Sequence, residues 1–77
     1  MQIQWREHIT ADPQIMFGKP VIKGTRIPVD LILEKLAAGE TQEQLLSAYT
    51  SISPADISAC LQFASKSVKN EIIQKVA

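Results

Sequence analysis

The chain has very little of what builds reactive or cross-linked sites: its 77 residues include one cysteine, one histidine, one tryptophan and one tyrosine. A lone cysteine, Cys60, cannot close a disulfide within the chain, which sets aside the cross-linked secreted scaffolds. A lone histidine, His8, cannot supply the clustered ligands of a zinc site. Nor do Asp12, Asp30, Glu34, Glu40, Glu43, Asp56 and Glu71 show a spacing that pairs them with His8 or Cys60. No nucleophile, base and orienting group can be assembled, so neither an enzyme nor a cofactor is expected. Net charge is missing as well, because eight Lys and Arg balance eight Asp and Glu. No overall positive field announces nucleic acid, and any such binding must come from local placement. Apolar stretches such as Leu31-Ile32-Leu33 fall far short of the roughly 20 residues that span a bilayer. The opening Met1-Gln2-Ile3-Gln4-Trp5-Arg6 has no basic stretch leading into an apolar run. A cytoplasmic location, with no membrane partner, is the expectation.

What is present is a sequence able to fold, with 45% hydrophobic residues and room for one core. A single domain over residues 1–77 is expected, divided into an arm (1–28), a helical unit (29–65) and a C-terminal helical extension (66–77). Three of the four prolines and two of the three glycines lie between Pro13 and Pro28, whereas residues 55–77 hold neither type. Strand and turn therefore belong to the first third and helix to the rest. Val21-Ile22-Lys23 and Arg26-Ile27-Pro28 flank Gly24-Thr25, which suits a tight hairpin with glycine at the first central position. Trp5, Met16 and Phe17 read as core or dimer contacts.

Helix signals follow in sequence. Val29, Ile32, Leu33 and Leu36 recur at helical spacing, and Gly39 ends the first helix. Thr41 with Gln44 forms a capping box for a second helix, which presents Leu45, Leu46 and Tyr49 inward. Ser53 as N-cap, Pro54 at the first helical position and Asp56 in the first turn open a third. That helix carries Ile57, Cys60, Leu61, Ala64, Val68 and Ile72 on one stripe. Unbroken to Val76 it would span about 34 Å, beyond what two short helices can cover, leaving its end frayed or free to bind.

Support helix, glycine turn, two-turn helix, four-residue connection and longer helix make up a helix-turn-helix. The fold class is thus mainly α: an N-terminal β-hairpin, a three-helix homeodomain-like unit and a long C-terminal helix. If the third helix enters a major groove, Ala55, Ser58, Ala59 and Gln62 face the bases, with Lys66 and Lys69 on phosphates. Lys19, Lys23 and Arg26 either grip phosphates or an acidic partner surface, or guard a solvated edge against strand-to-strand aggregation. Gly18-Lys19-Pro20-Val21-Ile22-Lys23-Gly24-Thr25 is no phosphate loop, since the lysine does not follow the second glycine and no capped helix opens there.

Asp12-Pro13 followed by Gly18-Lys19-Pro20-Val21-Ile22-Lys23-Gly24-Thr25-Arg26-Ile27-Pro28-Val29 closely resembles the domain-of-unknown-function 433 family, short prokaryotic proteins with a homeodomain-like helix-turn-helix. The likeness continues through Leu36-Ala37-Ala38-Gly39-Glu40-Thr41, Leu45-Leu46, Tyr49, Ser53-Pro54-Ala55-Asp56-Ile57, Leu61 and Phe63-Ala64. It covers about residues 8 to 65. The resemblance implies a Vap-type antitoxin that neutralises a PIN-like ribonuclease toxin, dimerises, and represses its own operon by binding operator DNA. Two positions depart from the family pattern: Thr50 stands where a proline usually follows the tyrosine, and Ser58 where a basic residue is frequent. In that setting residues 66–77, with Val68, Ile72, Ile73 and Val76, are the expected toxin-docking tail. The alternative is an inhibitor module that binds protein and not DNA, its helix-turn-helix serving only as scaffold.

Overall fold

The N-terminal arm folds down onto the last helix. The computed structural model describes residues 4–76, with side chains through Asn70. A 3-10 turn over Trp5–Glu7 leads to strand β1 (Ile9–Thr10), and a second over Met16–Gly18 leads to β2 (Val21–Ile22). Helices α1 (Val29–Ala37), α2 (Gln42–Ala48) and α3 (Pro54–Val76) follow. This is the mainly helical, three-helix fold with a small N-terminal sheet that the sequence leads one to expect.

The sheet's partners differ from that expectation. β2 pairs antiparallel with β1, Ile9 opposite Ile22 and Thr10 opposite Val21. The return from Arg26 to Pro28 makes only a bridge, Val21 to Pro28, closed by the Ile22 N–H donating to the Ile27 carbonyl at 3.0 Å. Pro28 has no N–H to extend the ladder, and the other edge of β2 is open to β1. The turn is shifted too. Thr25 N–H donates to the Ile22 carbonyl at 3.0 Å, making Lys23 and Gly24 the central pair. Gly24, with φ of +81°, takes the second central position, where a type II turn requires positive φ. Thr25 locks this loop by donating from Oγ1 to the Ile22 carbonyl at 2.7 Å and accepting from Ile27 N–H at 3.0 Å.

The same bridge starts α1. Pro28 offers no capping side chain, and the Val29 N–H donates instead to the Pro20 carbonyl at 3.0 Å, filling one of the vacancies at a helix start. At the other end Gly39, with φ of +98°, lets Glu40 N–H reach the Lys35 carbonyl and Gly39 N–H reach Leu36, the paired bonds of a Schellman motif. Thr41 and Gln44 form the reciprocal box expected at α2, with Gln44 N–H donating to Oγ1 at 3.1 Å and Thr41 N–H to Oε1 at 2.8 Å. Ser53 and Asp56 repeat it at α3, with Asp56 N–H to Oγ at 3.3 Å and Ser53 N–H to Oδ2 at 2.9 Å. Ile52 and Ile57, both buried, occupy the two positions of a hydrophobic staple around that cap.

Val29 and Ile32 of α1, Leu45 of α2, Ile57 and Cys60 of α3, and Ile9 and Ile22 of the sheet share one core. The covered face of α3 is rotated from the expected stripe. Ala59 and Cys60 are fully buried and Phe63 packs against the core, while Leu61 is 51% and Val68 53% exposed. Two surfaces press on α3 instead of one. The core shared with the first helices takes the Ile57 and Cys60 side, and the N-terminal 3-10 turn meets Phe63 through a T-shaped contact with Trp5, centroids 5.1 Å apart. Residues 65–70 of α3 are all exposed. No helix among the described residues is long and apolar enough to cross a membrane.

A candidate interface on the free side of the third helix

Once α3 has buried two of its sides, a third is left open, and most of the expected DNA-facing residues lie there. Ser58 is exposed, Ala55 and Gln62 are half-buried, and Lys66 and Lys69 are exposed in the continuation of the helix. Ala59 is a correction: with none of its surface accessible it belongs to the core and cannot meet a base edge. Its place on the open side is taken by Leu61, which falls between Ser58 and Ser65 at helical spacing. Val68 is exposed, as a partner contact requires, and the side chains of Ile72, Ile73 and Val76 lie outside the described residues.

The arm's cations occupy separate places. Lys19 Nζ lies 2.9 Å from Asp30 Oδ2, and Lys19 borders a cavity with Phe63, on the covered side of α3. Lys23 is exposed, its backbone N–H held by the His8 carbonyl at 2.8 Å. Arg26 is exposed and lines an open concavity with Thr25 and Ser51, in the turn just ahead of α3. Arg26 therefore stands beside the turn that leads into the third helix.

The fold also makes a pairing that sequence spacing concealed. His8 Nδ1 donates to Asp56 Oδ1 at 2.9 Å, across 48 positions of the chain. Asp56 thus serves two partners, the Ser53 N–H at the cap and His8 on the arm, and it is largely covered. Its carboxylate is consequently committed inward and does not confront an anion approaching the open side. Cys60 sits one turn further along, where burial, and secondarily the charge of Asp56, pushes its thiol up to about 11. At neutral pH it is a protonated core thiol. Among the described residues no three His, Cys, Asp or Glu stand together as a metal site.

Residues 9–64 match the family described as "Protein of unknown function (DUF433)". The chain belongs to the DUF433 family. A solved DUF433 member from Anabaena variabilis superposes with a TM-score of 0.76, covering 91% of this chain and 69% of that one, at 23% identity; the likeness is one of fold. An uncharacterized protein of Sinorhizobium fredii, y4eO, is 43% identical over 47 residues, which is 61% of this chain and 21% of that protein. The match thus spans about a fifth of that relative's length. An uncharacterized protein of Archaeoglobus fulgidus is 67% identical over 24 residues, 31% of this chain and 67% of that one.

The DUF433 match ends at Ala64, where α3 leaves the core. Residues 65–70, all exposed, lie beyond it, and so do Trp5 and His8, which hold the arm against α3. This DUF433 chain has a further feature inside the match. Met16 and Phe17 both adopt left-handed backbone, with φ of 51° and 58°, ahead of Gly18 at 83°. Such a conformation costs about 1–3 kcal/mol per non-glycine residue. The segment is held by Gly18 N–H to the Ile15 carbonyl and Lys19 N–H to Met16, both at 3.1 Å. The result is a Phe17 side chain that is 100% exposed.

Proposed function

We propose that this DUF433 protein is a DNA-binding antitoxin of the cytoplasm. A homodimer would set the open sides of its two third helices into successive major grooves of its own operator, while the exposed end of α3 neutralises a PIN-like ribonuclease. The reading assigns no catalytic step. The observation that carries it is the division of α3: a doubly capped N-terminus, two sides committed to the core, and a third presenting Ser58, Gln62, Lys66 and Lys69. That is the geometry a recognition helix needs, with short polar groups at its start and cations further on for phosphates. The inward commitment of Asp56 removes the one carboxylate that would repel DNA near that start. Arg26, beside the turn into α3, adds a phosphate contact.

The test is fluorescence-anisotropy binding to the protein's own upstream duplex and to a scrambled one, each at two salt concentrations. The reading expects preference for the upstream sequence, weakening with salt as condensed counterions are released. Replacing Lys66 and Lys69 together by glutamate should weaken that binding roughly tenfold or more. Unchanged operator affinity in that variant would take α3 off the DNA.

A second reading has its own support. Leu61 and Val68, more than half exposed and seven residues apart, place an apolar pair on α3, and the helix carries no arginine. That composition fits a protein partner better than phosphates, so the same surface would serve an inhibitor that does not touch DNA. Equal or absent binding to both duplexes favours this reading. Its own check is truncation after Ser65: a folded chain that still inhibits the toxin fully would remove residues 66–77 from the interaction.

A further inference from the structure

We infer that Phe17 is the anchor of a two-fold self-association, the ring of one copy entering the cavity of a second copy bounded by Lys19, Pro20, Val29, Asp30, Leu33 and Phe63. The inference rests on the dimer of the proposed function only in giving it a surface, and needs neither DNA nor toxin.

Knob and hole are present on the same chain. Phe17 is wholly exposed, and it is displayed by consecutive left-handed residues that local hydrogen bonds hold in place. A strained backbone that displays an apolar ring to water is a poor arrangement for an isolated monomer and a good one for an aromatic anchor. The cavity has a volume of about 190 Å³. An aliphatic cavity of about 150 Å³ is enough to hold benzene. Its walls are the apolar faces of Pro20, Val29, Leu33 and Phe63, and Phe63 is stiffened from behind by Trp5.

The pairing of copies follows from adjacency and charge. Only one residue separates Phe17 from Lys19 on the rim, so knob and hole belong to one patch. An isologous two-fold interface requires the same patch on both partners, each giving its ring and receiving the other's. The rim is self-complementary as well: Lys19 and Asp30, 2.9 Å apart and about half exposed, carry opposite signs at the same opening. Under a two-fold axis each rim can meet the opposite sign across the contact.

Sedimentation equilibrium of the full chain alone, over a wide concentration range, tests this with three variants. Phe17→Gly removes the ring while accepting the left-handed backbone, so the variant keeps its fold, and its dissociation constant should rise roughly tenfold or more. Asp30→Lys makes both rims positive and should weaken association. Lys19→Asp with Asp30→Lys restores opposite signs and should recover it. A wild type that is monomeric throughout overturns the inference, and so does a Phe17→Gly chain that associates as tightly as wild type. If wild type is monomeric alone and Phe17→Gly impairs toxin inhibition instead, the occupant is another protein and self-docking is overturned. A monomer that still binds its operator keeps α3 on the DNA but removes the homodimer from the proposed function together with this surface.

Discussion

The two halves of α3 share one helix and nothing else. From Pro54 to Ala64 it is capped by Ser53 and Asp56, stapled by Ile52 and Ile57, and covered on one side by α1 and α2 and on another by the N-terminal turn. From Ser65 to Asn70 every residue is exposed. The first half is held by burial and the second by little beyond intrinsic helix preference. The division separates duties: the covered half is scaffold with one working side, and the free half can give its whole surface to a partner.

The sharpest way to break that contrast is paired truncation. Ile57→Ala, at a side chain 1% exposed, should cost about 2–5 kcal/mol in urea unfolding. Val68→Ala, on the same helix but outside the core, should change stability by no more than about 0.5 kcal/mol. Similar costs at the two sites would show that the far half is also covered.

Next in size is the joint between arm and helix. Asp56→Ala removes a cap acceptor and leaves His8 without its partner, and should cost about 1–3 kcal/mol. A double-mutant cycle with His8→Ala separates the two roles. A coupling near zero would mean that the His8–Asp56 contact adds nothing to the hold of the arm on α3.

A smaller effect, of opposite sign, is expected at the strained turn. Phe17→Gly should stabilise the dilute protein by about 1 kcal/mol, because glycine adopts its backbone without penalty. The smallest is a pH effect at Cys60. Its thiol is pushed from 9.0 up to about 11, so its contribution to stability is whole below 9.0 and declines as pH rises towards about 11, where the unfolded chain ionises first. Between those values wild type should lose stability more steeply than Cys60→Ala, and parallel slopes would remove the effect.

Sequence reading recovers the parts of this fold that are written locally. Thr41 with Gln44, Ser53 with Pro54, and Gly39 each carry their signal within four residues, and each does what that signal implies. What escapes it is non-local. β1 is two residues long and has no periodicity to detect, and His8 and Asp56 meet across 48 positions. The periodic stripe on α3 lies too far toward Leu61 for the same reason: apolar periodicity locates one covered side, and here Trp5 supplies a second cover at Phe63, while Ala59 is buried as well. Of the candidate surface, Ser58, Gln62, Lys66 and Lys69 could be read from the helix pattern. The exposure of Leu61 and of Phe17 could not, since apolar residues are assigned to cores unless the tertiary fold leaves them out.

The central claim is that the open side of α3 is the working surface and its covered sides are scaffold. The most direct measurement is an NMR titration of the isotope-labelled chain with its own upstream duplex, following backbone amides residue by residue. The account predicts salt-sensitive shifts at Ser58, Leu61, Gln62, Ser65, Lys66, Lys69 and Arg26, with Trp5, Ala59 and Phe63 unmoved. Shifts centred on Trp5, Lys19 and Phe63, with the open side of α3 silent, would contradict it.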